Sequence, residues 1–269
     1  MLTTNWHTHT KRCGHAVGEE EEYVVAAIHA GLKTLGFSEH AAYPVPDPTE
    51  HMPVDEISDY FRTVRILKEK YKDQIDIHLG MEVEYYPDQW GLLSRYRKET
   101  EYCILGQHSL TFRGKSSYRL KTPEHLKEYA DKIEEACRHG LCDMIAHPDV
   151  ALYSYPVIDE AVIYTAERLA EISLRYDIPL ELNAGSGVQR GLVLYDDGPR
   201  YPYPVRAFFE VFAKHQCKIV PGLDIHDPNN FFTDKWLDRA FEVVEGLSCN
   251  IIEDYDIITP AKKRKQEFR

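Results

Sequence analysis

Asn5-Trp6-His7-Thr8-His9-Thr10-Lys11-Arg12-Cys13-Gly14-His15 (NWHTHTKRCGH, residues 5–15) places three histidines directly after the short apolar run Thr3–Trp6, in a chain that has 13 histidines among 269 residues. His7 and His9 are two apart. On an extended strand that spacing puts both on one face, about 6.6 Å apart along the chain. A strand that ends in such a pair presents two imidazoles to the same cavity, and the question is whether other strands end the same way.

They do. Thr34–Phe37 runs into Glu39 and His40 in LGFSEH, and Ile75–Val83 carries Glu82 near its end in LGMEVEYY. Tyr102–Gly106 is followed by His108, Met144–Ala146 by His147, Pro179–Leu182 by Asn183, and Lys218–Leu223 by Asp224 and His226. Between these runs lie amphipathic, charged stretches that predict helices at 19–30, 54–71, 88–98, 123–139, 158–176, 203–215 and 234–245. In the second of these, Ile57, Phe61, Val64 and Leu67 form one face. Pro123 suits a first helical turn.

Repeated β-then-α units imply parallel strands with helical crossovers, and seven of them predict an α/β fold of barrel type, (β/α)7 and TIM-like. A doubly wound open sheet is the competing architecture. In the barrel all the strand ends meet on one rim, so the site is expected at the C-terminal ends of the strands. No repeat, long linker or low-complexity segment interrupts the chain, which is read as a single domain over residues 1–269.

Nine candidate metal ligands converge on that rim: His7, His9, His15, His40, Glu82, His108, His147, Asp224 and His226. A closed structural zinc site needs four donors, so nine suit three divalent ions with open positions for water and substrate. Imidazoles fit zinc or iron, and the carboxylates keep manganese in play. Cys13 reads as a bystander thiol, and His29, His51, His78, His125, His139 and His215, which lie in helices, in loops or mid-strand, read as core or surface residues. Glu82 is preferred to Glu84 because it sits closer to the buried part of its run.

Composition narrows the partners. The formal charge of −12 argues against a nucleic-acid-binding surface. Six scattered cysteines without CxxC spacing, with no leader-like start and no apolar run of spanning length, lead to the expectation of a cytoplasmic protein with free thiols, not held in a membrane. No Walker loop or GxGxxG follows a strand. AGSG (184–187) reads as a flexible loop, and KKRK (262–265) as a solvated tail.

The order of these motifs resembles the polymerase-and-histidinol-phosphatase (PHP) family: HTH after the first strand, a following histidine, the SEH step, GME, AHPD and a terminal DIH. Within the family the length and the steps LELN and RYPYP are most similar to the histidinol-phosphate phosphatase branch. The resemblance implies a distorted (β/α)7 barrel with three metals. One ion is expected on His7, His9, Glu82 and Asp224, a second on Glu82, His108 and His147, and a third on His15, His40 and His226.

The implied reaction is hydrolysis of a small phosphate monoester, most similar to L-histidinol phosphate in histidine biosynthesis, by a hydroxide that bridges two ions and attacks phosphorus. Glu82, Asp224 and His226 are the catalytic candidates, with Asp224 or His226 handling the leaving-group proton. Arg190, Arg200 and Ser186 are the candidates for phosphate contact. Glu84 and Asp47 are the acidic groups left to meet a substrate amine. Two departures stand out: Glu39 occupies a place where aspartate is common, and the segment after Asn183 is longer than the compact arginine-bearing turn expected there.

Three rivals remain at this point. An amidohydrolase also opens with HxH, but its bridging lysine near the fourth strand is replaced here by Gln107-His108. A phosphodiesterase or exonuclease shares the motifs, and the acidic balance opposes it. A non-catalytic metal-binding accessory domain would be marked by missing ligands.

Overall fold

Side-chain alternation explains how the strands build a closed wall. The computed structural model describes residues 2–44 and 50–268. Among them, eight parallel strands follow the order β1 (Thr4–Asn5), β2 (Thr34–Phe37), β3 (Asp76–Val83), β4 (Tyr102–Leu105), β5 (Met144–Ile145), β6 (Leu180–Asn183), β9 (Lys218–Gly222) and β10 (Asn250–Ile251). The hairpin β7 (Val193–Tyr195) and β8 (Gly198–Arg200) stands apart from this sheet.

The crossovers are α1 (Glu20–Ala30), α2 (Ile57–Tyr71), α3 (Trp90–Glu99), α4 (Pro123–Arg138), α5 (Glu160–Tyr176), α7 (Arg206–Lys214) and α8 (Lys235–Val244). Local chemistry sets their limits. Helix α1 starts in a Glu19–Glu22 capping box and stops at Gly31, whose φ of 87° suits glycine. In α5 the Asp159 side chain accepts from Val162 N at 3.0 Å.

The two faces of the sheet bury two different cores. The outer face packs against the crossover helices in one large cluster. The inner face contributes Trp6, Tyr102, Ile104, Met144, Ala146 and Val220 to a second cluster inside the barrel. Tyr102 lies across this lumen with its hydroxyl 2.8 Å from Trp6 O and 3.0 Å from Phe37 O. Gly80 allows it to do so, because a Cβ there would sit 2.3 Å from the ring.

Closure is uneven along the seam. At the lower end β9 pairs with β10, Lys218 against Asn250. At the rim the extension of β9 turns to the extension of β1. His9 N donates to Ile225 O (3.0 Å), Ile225 N to His7 O (3.2 Å), and Leu223 N to Asn5 Oδ1 (2.9 Å). The result is a distorted TIM-like barrel, as expected, with one more parallel strand than the seven predicted.

Three segments correct the sequence reading. AGSG is no loose loop: residues Ser186–Gln189 form the short helix α6, and a Cβ on Gly187 would meet Tyr203 O at 2.1 Å. The hairpin β7–β8 was hidden by its glycines, prolines and charges. KKRK belongs to helix α9 (Ile258–Glu267), whose Ile258 and Ala261 plug the lower mouth of the barrel. Arg264 Nη1 reaches Asp143 Oδ1 at 3.1 Å, and Lys265 donates to Thr100 O at 2.9 Å.

Asp143 also binds Arg97, which is 1% exposed and donates to Ala261 O at 3.1 Å. Removing Arg97 takes away the more deeply buried of the two guanidiniums on Asp143 and leaves that buried carboxylate to Arg264 alone. Arg97→Ala is therefore expected to lower unfolding stability by about 3–5 kcal/mol in urea titrations, where a loss under 1 kcal/mol would contradict the account.

Candidate metal centre

Each strand end delivers its donor where the sequence placed it, and the donors meet around Glu82. Its Oε1 lies 2.9 Å from His147 Nε2, 3.4 Å from His108 Nε2 and 3.6 Å from His7 Nε2. Its Oε2 lies 2.9 Å from His40 Nδ1 and 3.4 Å from His9 Nε2. Asp224 Oδ1 completes the floor, 3.4 Å from both His7 Nε2 and His9 Nε2. Beyond it, His226 Nε2 is 3.1 Å from His15 Nε2, and the His226 ring stacks on His9 at 4.4 Å. Gly106 makes room: a Cβ there would fall 1.9 Å from Glu82 Oε1.

The backbone is bent to achieve this. His147 and Asp224 have φ of 28° and 45°, left-handed values that cost a side chain roughly 1–3 kcal/mol each unless the surroundings impose them. For His147 the imposing group is Glu181, whose Oε2 accepts from its backbone N at 2.8 Å.

Glu181 was missed by the sequence reading. Its Oε1 lies 2.8 Å from His7 Nδ1 and its Oε2 accepts from Asn183 Nδ2 at 2.8 Å, so one carboxylate orients the His7 imidazole and holds the backbone of His147. The signal was present in LELN, where period two puts Glu181 on the inner face with Asn183. Glu39 does the same for His9, with Oε1 3.4 Å from Nδ1, while its Oε2 accepts from Thr10 N at 2.9 Å. Glu84 Oε1 lies 3.1 Å from His108 Nδ1. Buffering the far nitrogen in this way fixes the ring and its tautomer.

Do these residues fit metal ions? Around a tetrahedral ion with bonds near 2.0–2.1 Å, donor atoms lie about 3.3 Å apart. The His7, His9, Asp224 and Glu82 separations of 3.4–3.6 Å match that figure, as does the 3.3 Å between His108 and His147. His7 Nε2, His9 Nε2 and Glu82 Oε2 are buried without a hydrogen-bond partner, a costly state for donors unless a cation takes them. The donor set fits.

The grouping departs from the implied third site in detail. His40 associates with His9 and His226, and His15 with His226 and the buried Cys13 thiol, so Cys13 is closer to the cluster than a bystander. Burial holds that thiol's pKa well up, and its Sγ donates to Thr10 O.

The charges pull in opposite directions. Burial opposes protonation of His7, but Glu181, then Asp224 and Glu82, outweigh it and hold its pKa well above the usual value. His9 is raised to about 9, where burial is overcome by Asp224 and Glu39. Burial and the charge of His9 push His226 down to about 4 and His40 well below the imidazole range. Burial favours neutral Glu82 and Asp224, yet the surrounding imidazoles keep both well below the usual carboxylate range.

Above the floor opens a cavity of about 790 Å³, lined by His15, His40, His108, His147, Asp224 and His226 and, higher up, by Glu50, Tyr86, Arg119, Ser186 and Tyr203. Ser186 Oγ is 2.6 Å from Tyr203 OH. The arginine expectations need correction. Arg200 donates to Leu152 O, Tyr155 O and Tyr201 O and stacks on Tyr195 at 3.6 Å, so the hairpin fold consumes it. Arg190 is exposed, donates to Tyr153 OH and lines a smaller adjoining cavity of about 290 Å³. The guanidinium that lines the main cavity is Arg119, in the single 3-10 turn Ser117–Arg119, too short to carry a sequence period. Asp47 lies outside the described residues.

The PHP domain model matches residues 5–185. The chain belongs to the PHP family. This PHP chain is 26% identical to a probable histidinol-phosphatase of Deinococcus radiodurans over 243 residues, covering 82% of this chain and 85% of that one. It is 31% identical to the histidinol-phosphatase of Bacillus subtilis over 130 residues, 44% and 47% of the two chains. A solved histidinol phosphate phosphatase of Lactococcus lactis, complexed with zinc, L-histidinol and phosphate, superposes with a TM-score of 0.66 at 15% identity, covering 93% and 95%. No helix among the described residues is long and apolar enough to cross a membrane.

Ligating imidazoles must be neutral, so the raised pKa of His7, His9 and His108 makes metal uptake a proton-releasing event. Affinity for zinc is expected to rise with pH through about 9, where His9 loses its proton unaided, and to stop rising only once His7 too has released its own. Calorimetry in buffers of different ionisation enthalpy reads the released protons directly; zero release at pH 7 would contradict the assignment.

Proposed function

We propose that the PHP chain is a metal-dependent phosphomonoesterase that hydrolyses L-histidinol phosphate to L-histidinol and phosphate, with residues 1–269 serving one site. The observation that carries this reading is the meeting of five imidazoles on Glu82 at the floor of a cavity that also holds a guanidinium. The similarity to named histidinol-phosphatases supports the substrate.

His7, His9, Glu82 and Asp224 would hold one divalent ion, Glu82, His108 and His147 a second, and His15, His40 and His226, with Cys13 beside them, a third. Zinc, manganese and iron all suit these donors. Such ions, when bound, acidify water and neutralise charge on phosphoryl oxygens.

The chain's own residues supply the rest. Arg119 offers paired N–H donors to two phosphoryl oxygens, and the Ser186 and Tyr203 hydroxyls add hydrogen bonds from the facing wall. Arg190 sits outside this arrangement and Arg200 takes no part. Glu82, 1% exposed, lies too deep to touch substrate and acts by holding the cluster together. Asp224 and His226 do reach the cavity wall, and they are placed to pass a proton to the departing alkoxide. Glu39 and Glu181 keep the rings in register while this happens.

The test joins metal analysis with a screen of phosphate esters and a short oligonucleotide. Bound divalent metal, turnover of histidinol phosphate and little cleavage of the oligonucleotide are expected; the reverse preference would replace this reading with the phosphodiesterase one. His9→Ala should lower turnover by several orders of magnitude with a near-native circular dichroism spectrum. Arg119→Ala should raise KM about tenfold to a hundredfold, and an unchanged KM would move the phosphate elsewhere.

A further inference from the structure

The cavity walls differ in charge. Arg119 is the one lysine or arginine that lines the cavity among the described residues, and the hydroxyls of Tyr118, Ser186 and Tyr203 line it too. The wall built from the ends of β3 and the residues after 50 carries no cationic lysine or arginine. It consists of Glu50, His51, Glu84 and Tyr86.

Glu84 is the unusual member. It is 2% exposed, and orienting His108 occupies only one of its oxygens. Its Oε2 has no hydrogen-bond partner. A buried carboxylate oxygen left unpaired costs more than the hydrogen bond it forgoes. Positioning His108 requires a single acceptor, and a neutral amide would have served without burying a charge.

The surroundings suit a cation. The Glu84 backbone is clasped by Tyr43, whose hydroxyl donates to Glu84 O at 2.9 Å and accepts from Glu84 N at 3.2 Å. Tyr43 packs edge-on to Tyr86 at 5.1 Å and to His51 at 5.7 Å, and both of those rings line the same cavity as Glu84. Aromatic faces and a desolvated carboxylate together attract ammonium and imidazolium groups and leave neutral ones unpaired.

We infer that Glu84, with Glu50 and Tyr86 beside it, forms a cation-recognising subsite that selects phosphate monoesters carrying an ammonium or imidazolium group over neutral ones. This rests on the phosphomonoesterase reading of the cavity and names which such esters it takes.

The experiment compares the metal-loaded wild type with Glu84→Gln on histidinol phosphate and on a nearly isosteric pair, 2-aminoethyl phosphate and 2-hydroxyethyl phosphate. Glutamine keeps an acceptor for His108 and removes the charge. Wild type is expected to prefer the aminoethyl ester, and Glu84→Gln to reduce the ratio of the two kcat/KM values at least tenfold. Glu50→Gln, which leaves His108 untouched, should reduce the same ratio to a smaller extent.

If Glu84 only positions His108, both esters lose activity together and the ratio stays put, which overturns the inference. A wild type with no preference between the two esters overturns it as well. A wild type that prefers the aminoethyl ester but ignores histidinol phosphate would instead sink the proposed substrate and leave the subsite standing.

Discussion

Glu82 is the constraint on which the rest turns. A carboxylate 1% exposed in the middle of a parallel barrel is untenable alone, because desolvation would drive it to the neutral form. Five imidazoles from four chain segments, with His7 and His9 sharing one, keep it ionised. They must arrive from the ends of four separate strands, so the barrel's register, the glycine at 106 and the left-handed turns at His147 and Asp224 all serve one anion. The same anion presents both oxygens to the surrounding imidazoles, and a charge that is a liability for folding sits where a divalent cation would be welcome.

Around it the structure separates holding from contacting. Glu39 and Glu181 each sit behind an imidazole and tune which ring nitrogen faces inward, whereas Glu84 backs His108 and also lines the cavity. Arg119, Ser186 and Tyr203 stand above, where substrate arrives. The acidic chain thereby keeps its positive potential local: the ions and one guanidinium supply it within the cavity, and the outer surface needs none.

Much of this was legible beforehand, and the boundary is physical. Strand ends could be read because an apolar run followed by His, Glu or Asp is a local pattern, and parallel topology brings all such ends together whatever lies between. Glu181 was legible in principle by alternation with Asn183, yet a glutamate between two leucines gives no sign of whether it is buried. Arg119 was not legible, since a single 3-10 turn is too short to show a period, and the guanidiniums at 190 and 200 looked equally suitable until the hairpin took one and the exterior the other. Helix α9 was misread because its charges are real; only its two small buried contacts, Ile258 and Ala261, distinguish a plug from a tail.

The seam between first and last strands carries a consequence of its own. Below, β9 leans on β10; above, it is stitched to the chain start through Asn5, His7 and His9, while Asp224 and His226 hang from the other side of the same join. Four donors thus straddle the single place where the cylinder can part. An ion held by donors from both sides would span that join and fasten its two margins to each other.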